Sequence, residues 1–404
     1  MILYVVSDRA SYSANAGRKL REIRRTWQEL GHEVELVCGG DTNAADPAAP
    51  AAAAAAKPRN PLLVSTPDLH GLHAPLVHSV SEWRDLQHDR RLAPYLERFL
   101  AGRTPELIWH RASRIHVAPL ALAEKLGVPY VLEWIDRLVS YPLSLFHRKA
   151  VGADQRRMRA AHRVVVTSER WKQEVAKEYA IPPEKILVAQ NAANPDDFVR
   201  DPQAGARVRE HMGIPADALV VGFVGSYGWY HEADLVAIAA SRLRQLLPRP
   251  VYFLMVGDGP HRAKLDAVVH NLGVDDLVRR QLAVPQPEVP QWLSAMDAGV
   301  VPASGGEIIC PMKVQEYMSA GLAPIVADSA ANREVVTENE TGLFFRSSDA
   351  DSMAAAISRL AQRPGWAAEL GRAGREDVLT RFTWRETFGR ALQQIVTEPG
   401  GSLA

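Results

Sequence analysis

Short apolar runs, each leading through a small-residue turn into a helix-patterned segment, recur along the whole chain. This alternation limits what it can fold into. Ile2 to Val6 is a continuous apolar run, the pattern of a strand buried on both faces. After a turn containing Gly17, residues 18–30 carry Leu20, Ile23, Trp27 and Leu30 at 3-4-3 spacing, one face of a helix. Gly31 ends that segment, and Val34 to Val37 resumes strand. Strand runs follow at Leu107–Trp109, Pro129–Leu132, Arg163–Thr167 and Ile186–Ala189, with an apolar helix near 116–126. A second series opens at Leu219–Val224 and continues through Val251–Val256, Ala298–Val301 and Pro324–Ala327. Its helices fall near 232–246, 261–271, 312–320, 350–362 and 384–397. Such alternation implies mostly parallel sheets with right-handed crossovers.

The chain has 404 residues, too many for one core, so the two series predict two domains. The fold class expected is α/β, with two Rossmann-like doubly wound domains facing across a cleft. Residues 1–195 form the first domain and 196–383 the second, with 195–215 read as a polar linker. The segment 384–404 is read as a helix and tail crossing back to the first domain. Residues 43–60 are an Ala/Pro-rich stretch with few large apolar groups, which reads as a flexible insertion.

Charge and cysteine usage remove several classes. Lys+Arg and Asp+Glu balance at 47 each, which argues against nucleic-acid binding driven by overall charge. Cys38 and Cys310 stand alone, with no metal-ligand spacing, and fit a reducing cytoplasm. No run reaches the roughly 20 apolar residues that span a bilayer. Residues 147–163 are strongly basic, but few large apolar residues accompany the charges, so a solvated helix face is preferred over membrane docking. Neither G-x-G-x-x-G after the first strand nor a P-loop occurs, which disfavours dinucleotide oxidoreductases and P-loop NTPases.

In doubly wound sheets ligands bind beyond the carboxyl ends of strands, so the loops there carry the candidates. The loop Gly225-Ser226-Tyr227-Gly228 follows a strand and precedes a helix, a place where backbone amides can approach an anion. Taken alone, a turn needing small residues explains it equally well. Pro311-Met312-Lys313 opens a helix and puts a cation at the positive end of its dipole, a conflict that a bound diphosphate removes. Glu316 lies one turn on, on the same face, and can accept hydrogen bonds from ribose hydroxyls. An ordinary Lys/Glu surface pair is the competing reading.

Through Val221-Gly222-Phe223-Val224-Gly225-Ser226, Met255-Val256-Gly257-Asp258-Gly259-Pro260, Val289 to Pro302, Pro311 to Gly321, Pro324 to Ala327, Asn332 to Val336 and Thr341 to Phe344, the C-terminal half resembles glycosyltransferase family 4 of the GT-B superfamily. In the N-terminal half Gly17, Gly31 to Val34, Leu126 to Pro129 and Val165 to Ser168 are similar too. The resemblance implies a retaining glycosyltransferase, hexosyltransferase-like, acting without a bound metal or other cofactor. Its donor would be a nucleotide sugar, UDP- or GDP-linked, and its acceptor a small molecule or a lipid-linked one. Lys313 and the Gly225 loop would bind the diphosphate and Glu316 the ribose, with Gly17 near donor and acceptor.

Three departures from the family pattern add candidates. The first of two glutamates spaced by eight is absent: Ile308 stands there and Glu307 beside it, so Glu307, or Ile308, Ile309 and Cys310 through their backbone, would meet the donor sugar. Ser226 follows the loop glycine and His231 stands for the usual lysine, so donor affinity would fall as pH rises through the His231 pKa. Ile135 occupies a position that is often histidine, leaving Glu133 and Asp136 as acid–base candidates. Arg111, after another strand, could bind an acidic acceptor. A nucleotide-sugar epimerase, a pseudo-glycosyltransferase and a non-catalytic partner subunit remain alternatives on the same fold.

Overall fold

The computed structural model describes residues 1–7, 17–41, 74–134, 144–228, 231–244, 249–302 and 312–397. The insertion at 43–60 lies outside the described residues. The chain divides into two compact units: one comprises most of the chain up to Ala189 and resumes at Phe388, and the other runs from Gln190 to Thr387 and also takes Ser168–Arg170.

In the first unit the elements are β1 (Ile2–Val6), α1 (Arg18–Glu29), β2 (Val34–Cys38), α2 (Ala74–Leu100), β3 (Leu107–Arg111), α3 (Ala118–Leu126), β4 (Tyr130–Glu133), α4 (His147–Ala160), β5 (Arg163–Val166), α5 (Glu169–Tyr179) and β6 (Ile186–Val188). Its six strands are parallel in the order β2-β1-β3-β4-β5-β6. The order reverses at β1 and β3, so the ligand-binding end of this sheet is where those two strands finish. All five residues of β1 are buried, as a strand covered on both faces requires. Helix α1 turns Leu20, Ile23 and Trp27 inward. There the Trp27 ring packs edge-on against Trp109 at 4.7 Å and tilts against Tyr4 at 5.3 Å. Trp27 Nε1 donates to the Phe388 carbonyl at 3.1 Å, which ties the returning C-terminal segment to α1.

The second unit contains α6 (Pro202–His211), β7 (Leu219–Val224), α7 (Ala233–Leu243), β8 (Val251–Val256), α8 (Arg262–Asn271), β9 (Val278–Gln281), α9 (Val289–Ser294), β10 (Ala298–Val301), α10 (Met312–Ser319), β11 (Ala323–Ala327), α11 (Ala330–Arg333), β12 (Leu343–Phe345), α12 (Ala350–Ala361) and α13 (Trp366–Arg381). Helix α14 (Arg390–Thr397) ends the described chain. The strands are again all parallel, in the order β12-β11-β10-β7-β8-β9. Counted from β7, this is the dinucleotide-fold order 3-2-1-4-5-6, with the switch point between β7 and β10. Alternate residues of β7 feed two cores: Leu219, Val221 and Phe223 on one face, Val220 on the other.

Residues 195–215 are more than a linker. Asp201 caps α6 by accepting from Gln203 N at 2.8 Å, and Pro202 takes the first helical position. Arg209 then reaches from α6 to the Ala295 carbonyl at 2.9 Å and to Asp297 at 3.0 Å, so the helix is part of the second unit's wall.

Candidate functional site

The switch point of the second sheet brings together the residues expected to meet a diphosphate. Gly225, the first residue after β7, has φ 147°, a conformation side chains rarely adopt. A Cβ placed on it would lie 2.5 Å from Lys313 Cε and 2.8 Å from Nζ. The missing side chain is the space that the lysine occupies. Gly257 serves the same purpose one strand over, since a Cβ there would run into the Gly225 carbonyl. The two loops nest, with Tyr227 N donating to the Asp258 carbonyl at 2.9 Å.

Lys313 stands in the first turn of α10. Its Nζ lies 4.3 Å from the centroid of the Phe223 ring and 3.3 Å from His231 Nδ1. Helix α10 is set by Tyr317. Its ring packs flush on Gly299 in β10, where a Cβ would overlap the ring. Its hydroxyl accepts from Val224 N at 2.9 Å, pinning the helix to the last residue of β7.

Burial removes water from the ammonium and brings the Lys313 pKa down to about 7, with the Glu316 carboxylate opposing the shift. Burial and the adjacent Lys313 charge push His231 down to about 3. His231 is therefore neutral at neutral pH, a ring beside the lysine rather than a second cation. The expectation that its titration governs anion binding is corrected: the group that titrates in the physiological range is Lys313. Glu316 is half-buried, on the same helical face as Lys313, and Ser226 is exposed.

The glycine loop differs from expectation in one further respect. The amides of Gly225, Tyr227 and His231 donate to the carbonyls of Val256, Asp258 and Gly228. Gly225 thus contributes room for the lysine rather than its own N–H.

In the first unit Glu133, at the end of β4, is 1% exposed. Its Oε2 accepts from the Tyr4 hydroxyl at 2.7 Å and from Trp109 Nε1 at 2.9 Å, and Oε1 faces Lys19 Nζ at 3.6 Å. A carboxylate so enclosed ties β1, β3 and β4 to α1, which corrects the acid–base expectation placed on it. Burial lowers Lys19 to about 8, opposed by Glu133. Burial, then the Glu133 charge, raises Tyr4 well above its ordinary value, while Arg111 acts the other way. Arg111 therefore stands within electrostatic reach of this cluster, half-buried at the end of β3. Gly17 is buried at the start of α1. Asp136, Glu307, Ile308, Ile309 and Cys310 lie outside the described residues. Sequence reasoning missed Lys19, although a signal existed: with Ile23 and Trp27 it occupies the buried stripe of α1. Among the described residues no group of three His, Cys, Asp or Glu could hold a metal ion. No described helix is long and apolar enough to cross a membrane.

Comparison with known proteins fits this geometry. Residues 16–192 match the family described as glycosyl transferase 4-like domain, and residues 218–363 match glycosyl transferases group 1. The D-inositol 3-phosphate glycosyltransferase of Thermobispora bispora is 30% identical over 246 residues, 59% of this chain and 56% of that protein. The 2-deoxystreptamine glucosyltransferase of Streptomyces kanamyceticus is 28% identical over 282 residues, 67% of this chain and 71% of that protein. Among solved structures, Anabaena HepE in complex with UDP and glucose superposes with a TM-score of 0.68 at 14% identity, covering 98% of this chain and 100% of that one. The two matched segments, the parallel sheets and this likeness define a two-domain GT-B fold. The chain belongs to the family-4-type glycosyltransferases. Its match spans little more than half the length of the first of these relatives.

Proposed function

We propose that the chain is a retaining glycosyltransferase that takes a sugar from a nucleoside-diphosphate sugar, UDP- or GDP-linked, and passes it to a hydroxyl of a small-molecule or lipid-linked acceptor. The observation that carries this reading is Lys313: a desolvated ammonium at the head of α10, at the switch point of the second sheet, with a pKa held near 7. A diphosphate beside it restores the charge that burial disfavours. HepE, which shares the fold, binds UDP and glucose.

Breaking the bond to the anomeric carbon leaves negative charge on the departing diphosphate and positive character on the sugar ring. The contribution of Lys313 is to stabilise the leaving charge where it develops. Glu316, one turn on, would accept from the two ribose hydroxyls and so fix where the diphosphate falls. His231 and Phe223 hold the ammonium in place without adding charge. With Glu133 enclosed, the acceptor proton would leave with the departing phosphate oxygen, or through Asp136.

The test is product analysis. The protein is incubated with UDP- or GDP-sugars and a panel of polyol and glycoside acceptors, and products are followed by proton NMR. An α-donor giving an α-glycoside supports the reading. An inverted product contradicts retention, and donor turnover without any acceptor contradicts transfer.

A further inference from the structure

The first unit contains a cavity of about 350 Å³ that no part of the donor chemistry uses, lined by Gly39, Gly40, Trp83, Arg84, Gln87, His88 and Arg91. That volume falls in the range of small-molecule sites. One wall is α2, where positions 83, 84, 87, 88 and 91 share a face by helical spacing. The floor is the turn after β2. Cys38 at the end of β2 is level with Val6 of β1, and Val6 with Arg111 of β3. The cavity therefore lies at the carboxyl end of the sheet, where doubly wound folds bind ligands.

The wall is fixed from behind. Glu82 is buried and pairs with Arg114 and with the Ser144 hydroxyl. Asp89 accepts from Val117 N at 3.0 Å and Ala118 N at 2.9 Å. His88 Nε2 donates to the Gly39 carbonyl at 3.1 Å, which assigns its proton to that nitrogen, and Nδ1 meets His116 Nε2 at 2.8 Å. The acids of this stretch thus turn into the protein, while Arg84 and Arg91 turn to the cavity. In a chain of zero net charge this is a local basic surplus. Trp83 is 50% exposed between those charges.

We propose that this cavity binds a phosphorylated polyol ring, a sugar or cyclitol phosphate. Guanidinium groups recognise phosphate bidentately. The Trp83 face packs on ring C–H groups, and Gln87 can bond ring hydroxyls from the same wall. This binding does not depend on the transfer reading above.

Calorimetric titration tests it, with saturating UDP present. The probes are glucose 6-phosphate and an inositol monophosphate, with glucose, inositol and inorganic phosphate as controls. Proteins are the intact chain, Trp83→Ala, and the double variant Arg84→Ala with Arg91→Ala. All three changes are at exposed positions, and thermal melts on the same samples check folding. The expected result is binding of a phosphorylated ring, weakened at least tenfold in the double variant and measurably in Trp83→Ala, with UDP affinity unchanged. Equal binding of inorganic phosphate or of neutral rings overturns the proposal, as does no phosphorylated ring bound by protein that still binds UDP. Loss of UDP binding by the intact chain would instead strike the donor reading.

Discussion

Raising the pH from 6 to 8 should weaken nucleotide-sugar binding about tenfold. The pKa of Lys313 sits at about 7 because burial strips its water. A neighbouring diphosphate favours the charged form and restores the pKa toward the ordinary lysine value, roughly 10.4. The group gains a proton on binding, so affinity is highest below pH 7 and falls as the lysine of the donor-free protein deprotonates. With a free pKa near 7, about nine-tenths of the lysine is charged at pH 6 and about one-tenth at pH 8, a loss of about 1.4 kcal/mol. The decline continues about tenfold per unit to pH 9 or beyond, until the donor-bound lysine also titrates. The assay is calorimetry with UDP-glucose or GDP-mannose. A nucleotide sugar is preferred to UDP because the terminal phosphate of UDP has its own pKa near 6 and would add an opposing slope. Lys313→Arg should flatten the profile, since the guanidinium stays charged throughout. A flat profile in the intact chain would refute the argument. So would a break that persists in Lys313→Arg and disappears in His231→Gln, which would return the titration to His231.

Three further substitutions follow from the packing. Gly225→Ala puts a Cβ 2.5 Å from Lys313 Cε at φ 147°; it should cost about 1–3 kcal/mol of stability and displace the ammonium, lowering donor affinity by at least about tenfold, read by melting and calorimetry together. Tyr317→Phe removes the hydroxyl that accepts from Val224 N and should destabilise by about 1–3 kcal/mol, read from urea unfolding midpoints. Glu133→Gln leaves Lys19 without its buried counter-charge and should destabilise by about 3–5 kcal/mol. The double variant with Lys19→Met should recover much of that loss. A stable but inactive Glu133→Gln protein would instead support acid–base work by this residue.

What could be read from the sequence follows from periodicity and from chain order. Strands buried on both faces, such as Ile2–Val6 and Leu219–Val224, declare themselves as apolar runs. Gly225, His231, Lys313 and Glu316 lie up to 91 residues apart, and the strand order brings Gly225, His231 and Lys313 together at one switch point, with Glu316 one turn along α10. Other elements gave weaker signals. Helix α2 carries Pro94 and a mixed apolar pattern, so its 27 residues showed no clean stripe. Strand β9 reads Val-Arg-Arg-Gln because it is the sheet's edge, where polar side chains are tolerated. Helix α6 was announced only by Asp201-Pro202, a cap signal inside a polar stretch. The protonation state of His231 and the enclosure of Glu133 depend on burial, which no local pattern of residues encodes.

The measurement that bears most directly on the donor site is calorimetric titration of UDP, GDP, ADP and TDP, and of their sugars, into the intact chain, Lys313→Ala and Glu316→Ala. Each variant removes a charge-assisted contact, so the account predicts one preferred nucleotide, bound about tenfold to a hundredfold more weakly by either variant. Unchanged affinity in both folded variants would contradict the assignment of Lys313 and Glu316 to the donor.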